Sequence, residues 1–321
     1  MLQLPALERT DVVSGTCRQP PRLAHVERGA RGAGPAVVAL HGLASARGSL
    51  SAAVLPLADH GLRVYVPDLL GHGASSSPVG DPYDIESHVA ALRGWTAASV
   101  GAEPVWLVGY SIGALLAMAW AAREPERVRG VVAISAPLYL DERDARQTLI
   151  RGDLMARLML VAPRLARLVN QALSGADGLG ARLSRVRRFQ RAYMWALVHG
   201  YGPRPAPGGE ALAAPRDVEA GLLRGLEVCW LHCWDAMYLS LRRCIVEYRI
   251  WPDIERIRAH RIPLLFIHGD QDSIAPVERI RMAAALGHWP TIEYAGAAHS
   301  LALTHAPTLA DALAGHFMGV N

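Results

Sequence analysis

Residues 104–122 carry no charged side chain over 19 consecutive positions, and the way this run divides constrains the fold more than any other feature of the chain. Its length would suffice to cross a bilayer, yet its period changes at Gly109-Tyr110-Ser111-Ile112-Gly113. Val105-Trp106-Leu107-Val108 is a continuous apolar run, as in a strand covered on both faces, while Ala114–Ala122 is an Ala-rich stretch, as in a buried helix. The segment therefore reads as strand, tight turn and helix, and no membrane span is expected. Flanking glycines permit a sharp reversal that lifts the serine hydroxyl above the sheet edge. The pentapeptide alone recurs by chance, and the strand before it and helix after it give it meaning.

The same alternation extends along the chain. Strands are expected at Ala36–Leu40, Leu62–Val66, Val105–Val108, Val131–Ile134, Pro263–Ile267 and Thr291–Tyr294, with helices near 49–60, 85–100, 112–124, 277–286 and 307–317. This order predicts an α/β fold with a mostly parallel central sheet flanked by helices. Residues 1–35 could add one or two antiparallel edge strands, interrupted by Gly and Pro. From Ser135 to about Trp251 the alternation gives way to helical periodicity, with Leu149, Met155, Leu158, Met159, Leu165, Leu168 and Val169 set among arginines. The domain division expected is a core of 1–136 and 251–321 interrupted by a helical insertion at 137–250, itself divided by a Pro- and Gly-rich loop at 200–215.

A serine hydroxyl is a poor nucleophile until a base takes its proton, so a histidine held by a carboxylate should follow in the order Ser, Asp, His. The last third supplies both, each just past the end of an expected strand: His268-Gly269-Asp270-Gln271-Asp272-Ser273-Ile274-Ala275-Pro276 and Ala297-Ala298-His299-Ser300-Leu301. Open α/β sheets place their sites at strand C-termini. His305, six residues beyond His299, falls on the expected final helix. The amide of Ile112, next to the serine, is a candidate oxyanion donor.

Over residues 36–136 and 258–319 the chain resembles the α/β-hydrolase superfamily, in its capped serine-hydrolase branch of esterases, thioesterases and C–C hydrolases. The insertion stands where that branch carries its helical cap, after the sixth strand. The resemblance implies that the acid belongs to a Gly-x-x-Asp-x-x-x-Pro pattern, selecting Asp272 through Gly269 and Pro276, with Asp270 second. It implies His299 as the base, preceded by Gly296, and a second oxyanion donor just after His41-Gly42, Leu43 before Ala44. His72, in Asp68-Leu-Leu-Gly-His-Gly-Ala-Ser75, and His268 are expected to shape their loops. Ser111 stands where dehalogenases and epoxide hydrolases carry aspartate, which argues against both. His41-Gly42-Leu43-Ala44-Ser45 lacks the additional glycines of C–C hydrolases and of HGGG esterases.

The function implied is hydrolysis of a carboxylic ester or thioester of a small hydrophobic substrate, free or carrier-bound, through an acyl-enzyme and without cofactor or metal. C–C hydrolysis, or a lyase or cyclase step using the same residues, is the alternative, and a non-catalytic ligand receptor stands behind both. Candidate substrate contacts are His41, Tyr110, Trp195, Trp230, Trp234 and Tyr238. All 33 basic residues are Arg; the middle third, 137–250, holds 17 of them against 11 acids, net +6, while the rest sums to −2. A total of +4 without a basic motif points away from nucleic acid. Arg182, Arg185, Arg187, Arg188 and Arg191 form either a solvated face or a recognition surface for an anionic substrate or carrier. The run Cys229-x-x-His232-Cys233 offers no fourth metal ligand. Four cysteines, two of them i, i+4, and a start with no export-signal pattern predict reduced thiols and a cytoplasmic location.

Overall fold

In a computed structural model of the chain, residues 21–30, 32, 34–174, 179–183, 186 and 231–319 are described. Seven strands form one sheet: β1 His25–Arg28, β2 Ala36–Leu40, β3 Arg63–Pro67, β4 Val105–Tyr110, β5 Val128–Ile134, β6 Leu264–Gly269 and β7 Thr291–Tyr294. They lie in the order β1-β3-β2-β4-β5-β6-β7, with β1 antiparallel to β3 and every other pairing parallel. β4 is central, with Val37 opposite Trp106 on one side and Tyr110 opposite Ile134 on the other.

Alternate residues of the inner strands feed two separate cores, because successive strand side chains point to opposite faces. Val37, Ala39, Val64, Val66 and Val108 pack with α1, Gly48–Val54, and the C-terminal helix Ala306–Met318. Val38, Leu40, Tyr65 and Leu107 pack on the other face with α2, Ile85–Ser99, and α3, Ile112–Arg123. Every residue of α3 from Ile112 to Ala122 is buried, which explains why its sequence is apolar all round. The charge-free run is thus β4 followed by α3. Among the described residues no helix is long and apolar enough to cross a membrane.

The expected elements recur with shifted ends. β5 begins at Val128, three residues earlier than its apolar run suggests, because Arg129 points out and Gly130 packs under the Trp106 ring. The expected helix at 49–60 breaks at Val54 and continues as a 3₁₀ turn, Leu55–His60, with Pro56 at its start. Proline has no N–H with which to continue an α-helix. One edge strand, β1, lies within the first 35 residues, and residues 1–20 are outside the described set.

Between β5 and β6 the chain forms α4 Glu142–Gly152, α5 Leu154–Val161, α6 Pro163–Leu173, α7 Leu179–Leu183 and α8 Trp234–Ser240, then a π-helical turn, Leu241–Val246. Among the described residues these follow the fifth strand rather than a sixth. Their breaks are written locally: Asp141 and Asp153 cap α4 and α5 through their side chains, and Pro163 occupies the first turn of α6. Helix α9, Trp251–Ala259, returns the chain to β6, after which come α10 Val277–Gly287, α11 Leu301–Thr304 and the C-terminal helix as α12. The loop at 200–215 lies outside the described residues.

Candidate active site

Ser111 stands between β4 and α3 with φ 56° and ψ −121°, a left-handed conformation that costs a non-glycine residue about 1–3 kcal/mol. The turn is held by its N–H to Ile134 O at 2.9 Å and by Ala114 N–H to its own carbonyl at 2.9 Å. The flanking glycines are there for room. A Cβ on Gly109 would lie 2.3 Å from Gly113 O, and one on Gly113 would lie 2.2 Å from Leu40 O and 2.8 Å from His41 O. All three obstacles are backbone atoms, so Gly113→Ala must push α3 off the sheet. A loss of roughly 3 kcal/mol or more is expected, read as a lowered urea midpoint; an unchanged midpoint would show that α3 does not need this close approach.

His299 lies between Ser111 and Asp272. Its Nε2 is 3.0 Å from Ser111 Oγ, and its Nδ1 is 2.8 Å from Asp272 Oδ2 and 3.1 Å from Oδ1. An ionised carboxylate only accepts, so Nδ1 carries the proton and Nε2 accepts from the serine hydroxyl. Asp272 Oδ1 also accepts the N–H groups of Ile274 and Ala275 at 2.9 and 2.8 Å, which orient the carboxylate before the histidine reaches it. Burial opposes protonation of His299, but the charge and hydrogen bond of Asp272 outweigh it and raise the imidazole above its ordinary value of 6.5. Asp270 is half-buried and accepts Gly296 N–H at 2.7 Å, tying the acid loop to the turn that leads to His299. His305 stands between α11 and α12, within hydrogen-bond reach of Thr304 Oγ1 at 2.8 Å. His268 is buried at the end of β6, 3.8 Å from Glu293.

Ile112 opens α3, so its N–H is among the four that a helix leaves without an intrahelical acceptor. Leu43 and Ala44 line the cavity beside Ser111, and Ala44 has φ 49°. His41 does not line that cavity. Its Nδ1 donates to Gly42 O at 2.8 Å and its Nε2 accepts Leu69 N–H at 2.9 Å, so both ring nitrogens are spent on holding the loop. The partner loop is anchored by fully buried Asp68, which accepts from the backbone of Arg47 at 2.7 Å and of Ala74 at 2.9 Å and pairs with the Arg47 guanidinium.

Behind this loop stand the buried His72 and His88, with half-buried His232 beside them. The rings of His41 and His72 are 5.5 Å apart, those of His72 and His232 6.2 Å apart, and His88 bonds Ser240 Oγ at 2.9 Å. Burial lowers His41, drives His72 well below its ordinary value with further repulsion from His41 and His232, and brings His88 down to about 4. Groups depressed in this way stabilise the fold fully above the unfolded value of 6.5 and lose that contribution as pH falls toward the folded value. His88 alone should therefore cost about 3 kcal/mol of stability by pH 4. The His299–Asp272 pair has the opposite sign, its contribution fading as pH rises through the raised value of His299. Denaturant titrations between pH 7 and 4 should show a shallower pH dependence for His88→Gln than for the parent; parallel curves would contradict this account.

Ser111 and His299 open on a cavity of about 240 Å³. Its walls come from Leu43 and Tyr110 in the core and from Leu149, Met159, Val169 and Met237 in the helices between β5 and β6. Tyr110 lines it and donates its hydroxyl to His299 O at 3.0 Å. Trp234 lines it as well, whereas Tyr238 does not, being stacked on Trp234 at 5.1 Å and 10°. Trp195, Trp230, Cys229, Arg185, Arg187, Arg188 and Arg191 lie outside the described residues, and Arg182 is exposed. Cys233 caps α8, accepting Ala236 N–H at 3.4 Å. Among the described residues no group of three His, Cys, Asp or Glu could hold a metal ion. Sequence reasoning passed over Asp153 and Asn170, both on the cavity wall, since each sits in a helical stretch with no motif around it; His232, also on the wall, was weighed only as a metal ligand, and its bridge to His72 has no local signal.

A mostly parallel sheet with a serine at its central strand–helix turn, facing a histidine–aspartate pair from later loops, defines an α/β protein of hydrolase architecture. The family model for the alpha/beta hydrolase fold matches residues 35–163. A pimeloyl-[acyl-carrier protein] methyl ester esterase of Xanthomonas oryzae pv. oryzae (strain MAFF 311018) is 30% identical over 287 residues, covering 88% of this chain and 94% of that one. The chain belongs to the α/β-hydrolase family. Among solved structures, E-2-(acetamidomethylene)succinate hydrolase superposes with a TM-score of 0.67 at 19% identity, covering 93% of this chain and 96% of that one. A bromoperoxidase from Bacillus anthracis gives 0.66 at 20%, covering 92% and 95%. At these identities the two structures speak for the fold.

Proposed function

We propose that the chain is a serine hydrolase that cleaves a carboxylic ester or thioester of a small hydrophobic substrate through an acyl-enzyme. The observation that carries this reading is the pair of contacts made by His299, 3.0 Å to Ser111 Oγ and 2.8 Å to Asp272, opening on a largely apolar cavity. Ser111 Oγ attacks the carbonyl carbon while His299 Nε2 takes its proton, and the imidazolium is held by Asp272. Negative charge gathers on the former carbonyl oxygen, where the amides of Ile112 and Leu43 are the assigned donors. The leaving alcohol or thiol departs with the proton from His299, and water, deprotonated by the same imidazole, releases the acid and restores Ser111.

Helices α4–α8 act in this reading as part of a cap that shapes the acyl pocket, with Tyr110 and Trp234 on its wall. Support for an ester comes from the esterase name of the 30% identical relative, whose printed substrate is carrier-bound. The site requires no cofactor or metal for these steps, and the protein is expected to work in the cytoplasm. The test is hydrolysis of p-nitrophenyl esters from acetate to decanoate, together with the matching acyl thioesters. Turnover is expected to peak at a chain the cavity can hold and to fall beyond it. Saturable ester binding without product would point to a receptor, and turnover confined to vinylogous diketones would point to C–C cleavage.

A further inference from the structure

Asp153 is the acidic side chain on the cavity wall among the described residues, and it has no part in the steps above. It caps α5, accepting Ala156 N–H at 2.7 Å, with Met155 N–H also directed at the carboxylate. These backbone amides belong to its own helix. Among the described residues no arginine or histidine pairs with it, in a chain of 33 arginines. Arg157, whose N–H bonds the Asp153 carbonyl at 2.9 Å, turns its guanidinium to Ile150 O instead. A carboxylate has about four acceptor positions, so two backbone amides leave others open on a residue that lines the cavity.

Its place is held firmly. A Cβ on the preceding Gly152 would lie 2.4 Å from Ser273 O, so the end of α4 is pressed against the acid loop one residue beyond Asp272. Asp153 is thereby set at a defined position relative to His299, close enough for its charge to favour the imidazolium. The wall around it is apolar, with Leu149, Met155, Met159 and Val169. An unpaired carboxylate beside such a wall is unfavourable unless something meets it, and burial raises its carboxyl above the ordinary value.

We propose that Asp153 is a specificity-determining residue: its carboxylate receives a hydrogen-bond donor of the substrate, an ammonium above all, and turns away substrates bearing a second carboxylate. This rests on the ester-hydrolase reading. The test compares 1-naphthyl esters of hexanoic acid, 6-aminohexanoic acid and adipic acid (as its monoester) on the parent, Asp153→Asn and Asp153→Ser. Both replacements can still cap α5, so the fold is retained. The ratio of kcat/KM for the amino ester over the carboxy ester is expected to fall by at least about tenfold in each variant, the size of one charge-assisted hydrogen bond. An unchanged ratio would overturn the proposal and leave Asp153 as a helix cap. Calorimetric titration with hexylammonium and hexanoate reads the same preference without any reacting bond. If the parent hydrolyses no ester, the hydrolase reading falls and this titration alone decides: hexylammonium affinity at least about tenfold weaker in Asp153→Asn supports the role, and equal affinity removes it.

Discussion

Ser111→Ala is expected to lower kcat/KM for ester hydrolysis by at least about 10⁴-fold, with the urea midpoint unchanged or raised. The magnitude follows from what is removed. His299 keeps its bond to Asp272, the amides proposed as oxyanion donors stay in place and the cavity keeps its walls, so the residual rate is what positioning and polarisation supply without a covalent step. Stability should not suffer, because among the described residues Oγ bonds His299 alone, while the strained turn is held by backbone bonds to Ile134 and Ala114. Alanine adopts φ 56° no more easily than serine, so the strain is kept. Activity within tenfold of the parent would remove the acyl-enzyme from the account.

Asp272→Asn should cost about 10³- to 10⁴-fold in the same assay, and Asp270→Asn far less. An amide at position 272 can donate to Nδ1 and so favour the wrong imidazole tautomer, leaving Nε2 protonated and unable to accept from Ser111. The acid limb of the kcat/KM profile gives a second reading. With the parent it should lie above 6.5, since the Asp272 charge outweighs burial, and with Asp272→Asn it should fall toward lower pH. Asp270 contributes the bond to Gly296, so its amide variant keeps the carbonyl acceptor and loses little. A reversed ranking would transfer the acid to Asp270.

How much of this was legible in the chain depended on whether a residue's job is local. The glycines around Ser111 announce themselves because the close approach of α3 to β2 admits nothing larger at fixed spacing. Asp272 and His299 follow because each lies a few residues past the end of a recognisable strand. His41 misled for the same reason that it was noticed: it sits beside a candidate oxyanion amide in sequence, but its nitrogens face Gly42 and Leu69. Leu69 lies 28 residues away, and no local pattern encodes that bond. Asp153, Asn170 and Met237 meet around one cavity only through the packing of α5, α6 and α8, which depends on crossing angles rather than on period. The break of the expected helix at 49–60 was readable in principle, since Pro56 marks it.

The most direct test of the central claim is the intact mass of the protein after exposure to a small fluorophosphonate, which reports an activated serine without needing the natural substrate. A single adduct that maps to Ser111, disappears in Ser111→Ala and forms far more slowly in His299→Ala is the predicted result. A folded parent protein that takes up no adduct, or takes it up equally in Ser111→Ala, would contradict the account.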